Sequence, residues 1–222
     1  VTISGGTITA NAYTTDADTA NYNSYGIGSE GTITISGGTI VANGGLAVNG
    51  ESFGIGTTGD FDISGAADIQ AKGGNASKGS SYGIGIANTH HVNPPTDINT
   101  TDTPTGGSMT VDGETANVKA EGGPAPLGKS LGVGTTDNVS VNEGTLYGKG
   151  GEGSKGSGGI VVGGSLTVSG TVDGTAGDSE ESVGVGVKGK DGDNSITING
   201  GSLTGTAGNS SGTDMDSMGI AA

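Results

Sequence analysis

The residues best able to do chemistry in this chain are carboxylates. They come in close groups: Asp16 with Asp18, Asp178 with Glu180 and Glu181, Asp191 with Asp193, and Asp214 with Asp216. Calcium takes several oxygen ligands from flexible loops. Asp191-Gly192-Asp193-Asn194 is the best local arrangement for it, with Asp191, Asp193 and Asn194 as candidate ligands. The segment is too short to complete a shell alone, and no closing Glu follows at calcium-loop spacing. Acidic loops also serve as plain solvated surface. Calcium is therefore an option, and no cofactor is required. The two histidines, His90 and His91, are adjacent, and neighbours on an extended chain face opposite ways. They suit contact with a ligand better than joint chelation of one ion. Tyr147, expected outward on a strand, and Tyr13 and Tyr22, in a variable loop, offer rings that could stack on a sugar.

Catalytic sets are poor. Asp60 and Asp62 suggest the carboxylate pair of a glycosidase, which sits at a set separation across a bond. Here both belong on the outer side of one strand, and related positions elsewhere hold Thr, Ser or Asn. With no Cys there is no thiol nucleophile, thiolate metal site or disulfide framework. No glycine-rich phosphate loop leads into a helix.

The elements that must position these groups are repeats. Three motifs recur in fixed order. The first is Ser-apolar-Gly-apolar-Gly, as in Ser24-Tyr25-Gly26-Ile27-Gly28, Ser52-Phe53-Gly54-Ile55-Gly56 and Ser81-Tyr82-Gly83-Ile84-Gly85. Copies follow at Ser130, Ser157, Ser182 and Ser217. The second alternates polar and apolar residues, as in Thr32-Ile33-Thr34-Ile35 and Ser165-Leu166-Thr167-Val168. The third centres on Ile8, Ile40, Ile69, Val118, Leu146, Val172 and Leu203, with Ala or Gly two places on. A period of two rich in Ile, Val and Thr specifies strands. Ile35 and Ile63 lie 28 residues apart, and Val141 and Val168 lie 27 apart.

Three short strands per unit predict an all-β fold: a single-stranded parallel β-helix, or β-solenoid. It should have about seven coils and a triangular section. At about 4.8 Å per coil the rod is roughly 30–35 Å long. The expected inward pairs are Tyr25/Ile27, Ile33/Ile35 and Ile40/Ala42, with their equivalents. Tyr25, Phe53 and Tyr82 should stack on one another. The first-motif glycines, Gly26, Gly54, Gly83, Gly132, Gly159, Gly184 and Gly219, should form a bare outward strip of backbone. Residues 1–222 form one solenoid domain. Ile63 and Val111 are 48 residues apart, which places an inserted loop at 86–107.

Composition fits this pattern and narrows the partners. Of 222 residues 50 are Gly, and the net charge is −15, which opposes binding to nucleic acid phosphates. No apolar run reaches membrane-spanning length, so no membrane insertion is expected in this segment. The outward Thr and Ser array of the second motif is broken by Asp60 and Asp62, against an ice-binding surface.

Thr32-Ile33-Thr34-Ile35-Ser36-Gly37-Gly38-Thr39-Ile40-Val41-Ala42-Asn43-Gly44-Gly45, followed by Phe53-Gly54-Ile55-Gly56, resembles the glycine-rich β-solenoid repeats of large bacterial cell-surface and secreted proteins. The resemblance spans the chain apart from the insertion. It implies an adhesin-like or carbohydrate-binding role outside the cell. The expected partner is a polysaccharide or a cell-surface glycoprotein, met through the loops. Export and anchor segments would lie outside this chain, a fragment of a longer surface protein. The alternatives are a structural stalk with no ligand and, third, a polysaccharide-degrading enzyme. Solenoid lyases often abstract a proton with Arg, and all eight basic residues here are Lys.

Overall fold

The computed structural model describes residues 1–13, 22–87, 107–188, 195–211 and 217–222, and among them there is no helix. The chain opens with β1 (Thr2–Ile3), β2 (Thr7–Asn11), β3 (Ser24–Ser29), β4 (Ile33–Asn43), β5 (Ser52–Thr57), β6 (Phe61–Lys72) and β7 (Ser81–Ile86). Next come β8 (Met109–Asp112), β9 (Asn117–Glu121), β10 (Lys129–Thr135), β11 (Val139–Val141), β12 (Thr145–Lys149) and β13 (Gly156–Val162). The described strands end with β14 (Leu166–Val168), β15 (Thr171–Thr175), β16 (Ser182–Val187), β17 (Ile196–Ile198), β18 (Ser202–Thr206) and β19 (Ser217–Ala221).

Pairing between these strands is parallel and joins each motif to its copy one coil away. The result is a β-solenoid of about six turns with three faces. The first-motif strands form a seven-stranded sheet, β19-β16-β13-β10-β7-β5-β3. The second and third faces merge into one twelve-stranded sheet, because β4 and β6 run unbroken around their shared corner. The corner turns on glycine. Gly38 has φ +98°, a left-handed conformation, and a Cβ there would lie 2.6 Å from the Gly6 carbonyl oxygen.

The core is a bundle of ladders. Ile27, Ile55, Ile84, Val133, Ile160, Val185 and Ile220 stack in register on the first face. Ile33 and Ile35, and Ile40 and Ala42, point inward and are fully buried, as the period of two requires. Burying each large aliphatic side chain contributes roughly 1.5–3 kcal/mol.

Two expectations fail at one place. Tyr25 does not face inward with Ile27; it is 41 % exposed, and its ring lies outside the first sheet. The register runs through Tyr25–Phe53 and Ile27–Ile55 but passes over Gly26. A strict alternation of sides requires an even pleat, and the ladder is broken at that glycine. Consequently the first-motif glycines are not an outward strip. They face inward, where the first and third faces converge too closely for a side chain. A Cβ would lie 2.4 Å from the Lys72 amide nitrogen at Gly54, 2.4 Å from that of Glu121 at Gly83, and 2.2 Å from that of Lys149 at Gly132. The outward column is the second glycine of the motif, as at Gly28, Gly56 and Gly85, and the ladder rings rest against it.

The motif serine completes this corner. Ser52 donates its Oγ–H to the Gly45 carbonyl at 2.8 Å and accepts the Gly74 N–H at 2.8 Å. Ser81 bonds Gly74 and Gly123 in the same way, and Ser130 bonds Gly123 and Gly151. Ser157 and Ser182 continue through Gly177 to Gly208. An unbroken chain of alternating Ser and Gly bonds thus climbs the inside of the rod. Ser52, Ser81, Ser130 and Ser182 are fully buried.

Candidate ligand groove on the loop edge

The segments joining the third face to the first carry the most varied side chains, yet they stack. Ala47 bridges Ala76, Ala125 bridges Gly153, and Ser179 bridges Ser210, all in parallel. Ala47, Ala76 and Ala125 are fully buried, and Gly74 and Gly123 have no room for a Cβ. The serine chain ties each of these loops to the next. Variable polar side chains are therefore held in rows about 4.8 Å apart on a regular backbone.

Along this edge runs an open groove of about 630 Å³, from Asn75 to Ser211. The exposed Pro124 and Pro126 give it an apolar wall, and Glu152, Asp178, Glu180 and Asn209 supply carboxylates and an amide. Those four polar side chains are exposed. Asp178 Oδ1 accepts the Asn209 N–H at 2.7 Å and an Nδ2 hydrogen at 3.1 Å, which staples two coils. The Ser210 Oγ–H is donated to the Glu180 carbonyl at 2.6 Å, and the Ser179 Oγ–H to that of Glu181. Carboxylate and amide acceptors beside proline surface suit a polyhydroxylated ligand: hydroxyls meet the acceptors, and C–H faces meet the apolar wall.

The sequence-derived candidates are scattered. Tyr13 and Tyr22 flank one connecting segment on this same edge, two coils before the groove, and are 93 % and 62 % exposed. Tyr147 faces outward on the third face, half-buried in register between Lys119 and Asp173, away from the groove. His90, His91, Asp191, Asp193 and Asn194 lie outside the described residues. Among the described residues no group of three or more His, Asp or Glu is placed to hold a metal ion. Asp60 Oδ1 accepts the Ser108 N–H at 2.9 Å, a staple between coils. Burial, together with neighbouring Asp60, pushes the Asp62 carboxyl up. Ile86 and Gly107, the ends of the insertion, are a core residue and a buried corner residue. The coil resumes in register across the insertion, with the Phe61 N–H bonded to the Ser108 carbonyl at 2.9 Å.

A second feature lies outside the first sheet. The rings of Tyr25, Phe53 and Tyr82 stack at 4.8 and 4.9 Å, with interplanar angles of 5° and 7°. The stacking was expected; its outward position was not. Both faces of the Phe53 ring are spent on its neighbours, and Tyr25 and Tyr82 each turn one face to it. Tyr82 donates its hydroxyl to Glu51 Oε1 at 3.4 Å. Burial pushes the Glu51 carboxyl up to about 7, against the lowering effect of that bond. Leu131, Val183 and Met218 continue the column. In the coil between Leu131 and Val183 the sizes are exchanged: Gly158 occupies the ladder position, and Val161 replaces the usual second glycine. A Cβ on Gly158 would lie 2.5 Å from Val161 Cγ2.

The chain matches no family model, no curated protein and no solved structure.

Proposed function

We propose that this chain is a non-catalytic, adhesin-like solenoid of a bacterial surface or secreted protein, and that its loop edge binds a glycan of a polysaccharide or cell-surface glycoprotein. The observation that carries this reading is the groove of about 630 Å³, with acceptors in successive coils beside an apolar wall. Tyr13 and Tyr22 on the same edge add rings, and the resemblance to glycine-rich surface repeats supports the setting. The test is a glycan array with a whole-cell binding assay. Wild-type protein should bind, and Glu152→Ala with Glu180→Ala should weaken binding at least tenfold. Asp178 is left intact because it staples Asn209. Failure to bind any glycan or cell would overturn the reading, as would release of reducing or unsaturated sugar ends for its non-catalytic part. The unbroken core and serine chain also suit a spacer that only holds other domains apart. Deleting 88–106 separates that reading from ligand binding through the insertion: lost binding assigns the insertion a role, and unchanged binding removes it.

A further inference from the structure

The outer side of the first sheet also bears a cavity of about 290 Å³ over β10, β13, β16 and β19. Glycine opens it. Gly156 and Gly158 pair in register with Lys129 and Leu131, so two successive outward positions of β13 lack side chains. Leu131, Val161, Val183 and Met218 make an aliphatic floor, and Lys129, Lys188 and Glu181 form the rim. The lysine stem leans over the gap, since a Cβ on Gly156 would lie 3.6 Å from Lys129 Cγ. Lys155 and Lys188 are both close enough to Lys129 to act on its charge. Lys129 and Lys188 thus rim one apolar cavity of a chain with net charge −15, beside Glu181, whose opposite charge also acts on Lys129.

We infer that this cavity binds an aliphatic monocarboxylate, its chain on the Leu131, Val161, Val183 and Met218 floor and its carboxylate between Lys129 and Lys188. Charge complementarity selects an anion, because the two rim lysines outnumber the one rim carboxylate, Glu181, on an otherwise acidic molecule. The floor selects the body of the ligand: it has no aromatic face and few free polar groups, so it suits methylenes better than sugar hydroxyls. The volume, at the small end of ordinary ligand cavities, suits a chain of medium length. The site is independent of the loop-edge groove and of the glycan reading.

Calorimetric titration with butanoate, hexanoate and octanoate tests it. Affinity should rise roughly fourfold per added methylene while the cavity fills. Octanol should bind at least tenfold more weakly than octanoate. Lys129→Gln should cost octanoate about tenfold, with octanol unaffected. Gly156→Val has room for its Cβ and should abolish octanoate binding by filling the cavity while the far-ultraviolet spectrum stays that of the wild type. No saturable octanoate binding, equal binding of octanoate and octanol, or tighter binding of galacturonate than of octanoate would each overturn the inference.

Discussion

Replacing Ser130 by Ala removes one oxygen from the centre of the rod. Its Oγ–H is donated to the Gly123 carbonyl at 2.8 Å, and it accepts the Gly151 N–H at 2.8 Å. Ser130 is fully buried, so water cannot take over either role without opening the corner. Each backbone group left unpaired costs about 1–3 kcal/mol, so the pair costs roughly 2–5 kcal/mol. In a chain of this size 1 kcal/mol corresponds to about 2–4 °C in Tm, which predicts a fall of roughly 5–15 °C. Circular dichroism of the β signal during heating measures it. Because repeat proteins can unfold in parts, hydrogen exchange at Gly151 should also quicken. Ser140→Ala, on the outward side of the second face, is the control and should stay within about 0.5 kcal/mol. A fall for Ser130→Ala no larger than the control's would refute the bonded ladder as a source of stability.

Other substitutions probe the corner, the exposed ladder and its carboxyl. Gly132→Ala places a Cβ 2.2 Å from the Lys149 amide nitrogen and should cost more than about 4 kcal/mol or block folding, whereas Gly5→Ala, with open space around it, should be neutral in the same thermal melt. Gly158→Val alone should cost about 1–3 kcal/mol by overpacking against Val161 and Leu131; adding Val161→Gly should recover most of it, and a double-mutant cycle with no coupling would deny the size exchange. Glu51, normally near 4.5, sits at about 7 in the fold, so the folded state holds its proton more tightly than the unfolded chain. Its contribution is full below about pH 4.5 and lost as pH rises through 7, about 2–3 kcal/mol after solvent screening. Urea midpoints should therefore show Glu51→Gln gaining on the wild type between pH 5 and pH 8, and a constant difference would count against the raised carboxyl.

The faces, the ladders and the coil register were legible because period two and a fixed motif order leave little freedom. Where the pleat breaks, the period misleads: Tyr25 and Ile27 are two apart yet on opposite sides of the sheet. The repeated serine was visible as a pattern without a role. A signal existed in its distance from a loop glycine, seven residues for Gly45–Ser52, Gly74–Ser81 and Gly123–Ser130. The groove was not legible, because Glu152, Asp178 and Asn209 come from loops of different sequence and are aligned only by stacking. Likewise nothing in the order of residues announces that Lys129 and Lys188 rim one cavity beside Gly156.

The serine–glycine chain has a direction. Gly74 donates to Ser52, which donates to Gly45, which donates to Ser24. Every donor in the series hands its hydrogen toward the first coil, so the bond dipoles share a component along the axis and polarise one another. The interior thus carries an electrical polarity akin to that of a helix, positive toward β3 and negative toward β19. The two directions along this rod are therefore electrically inequivalent.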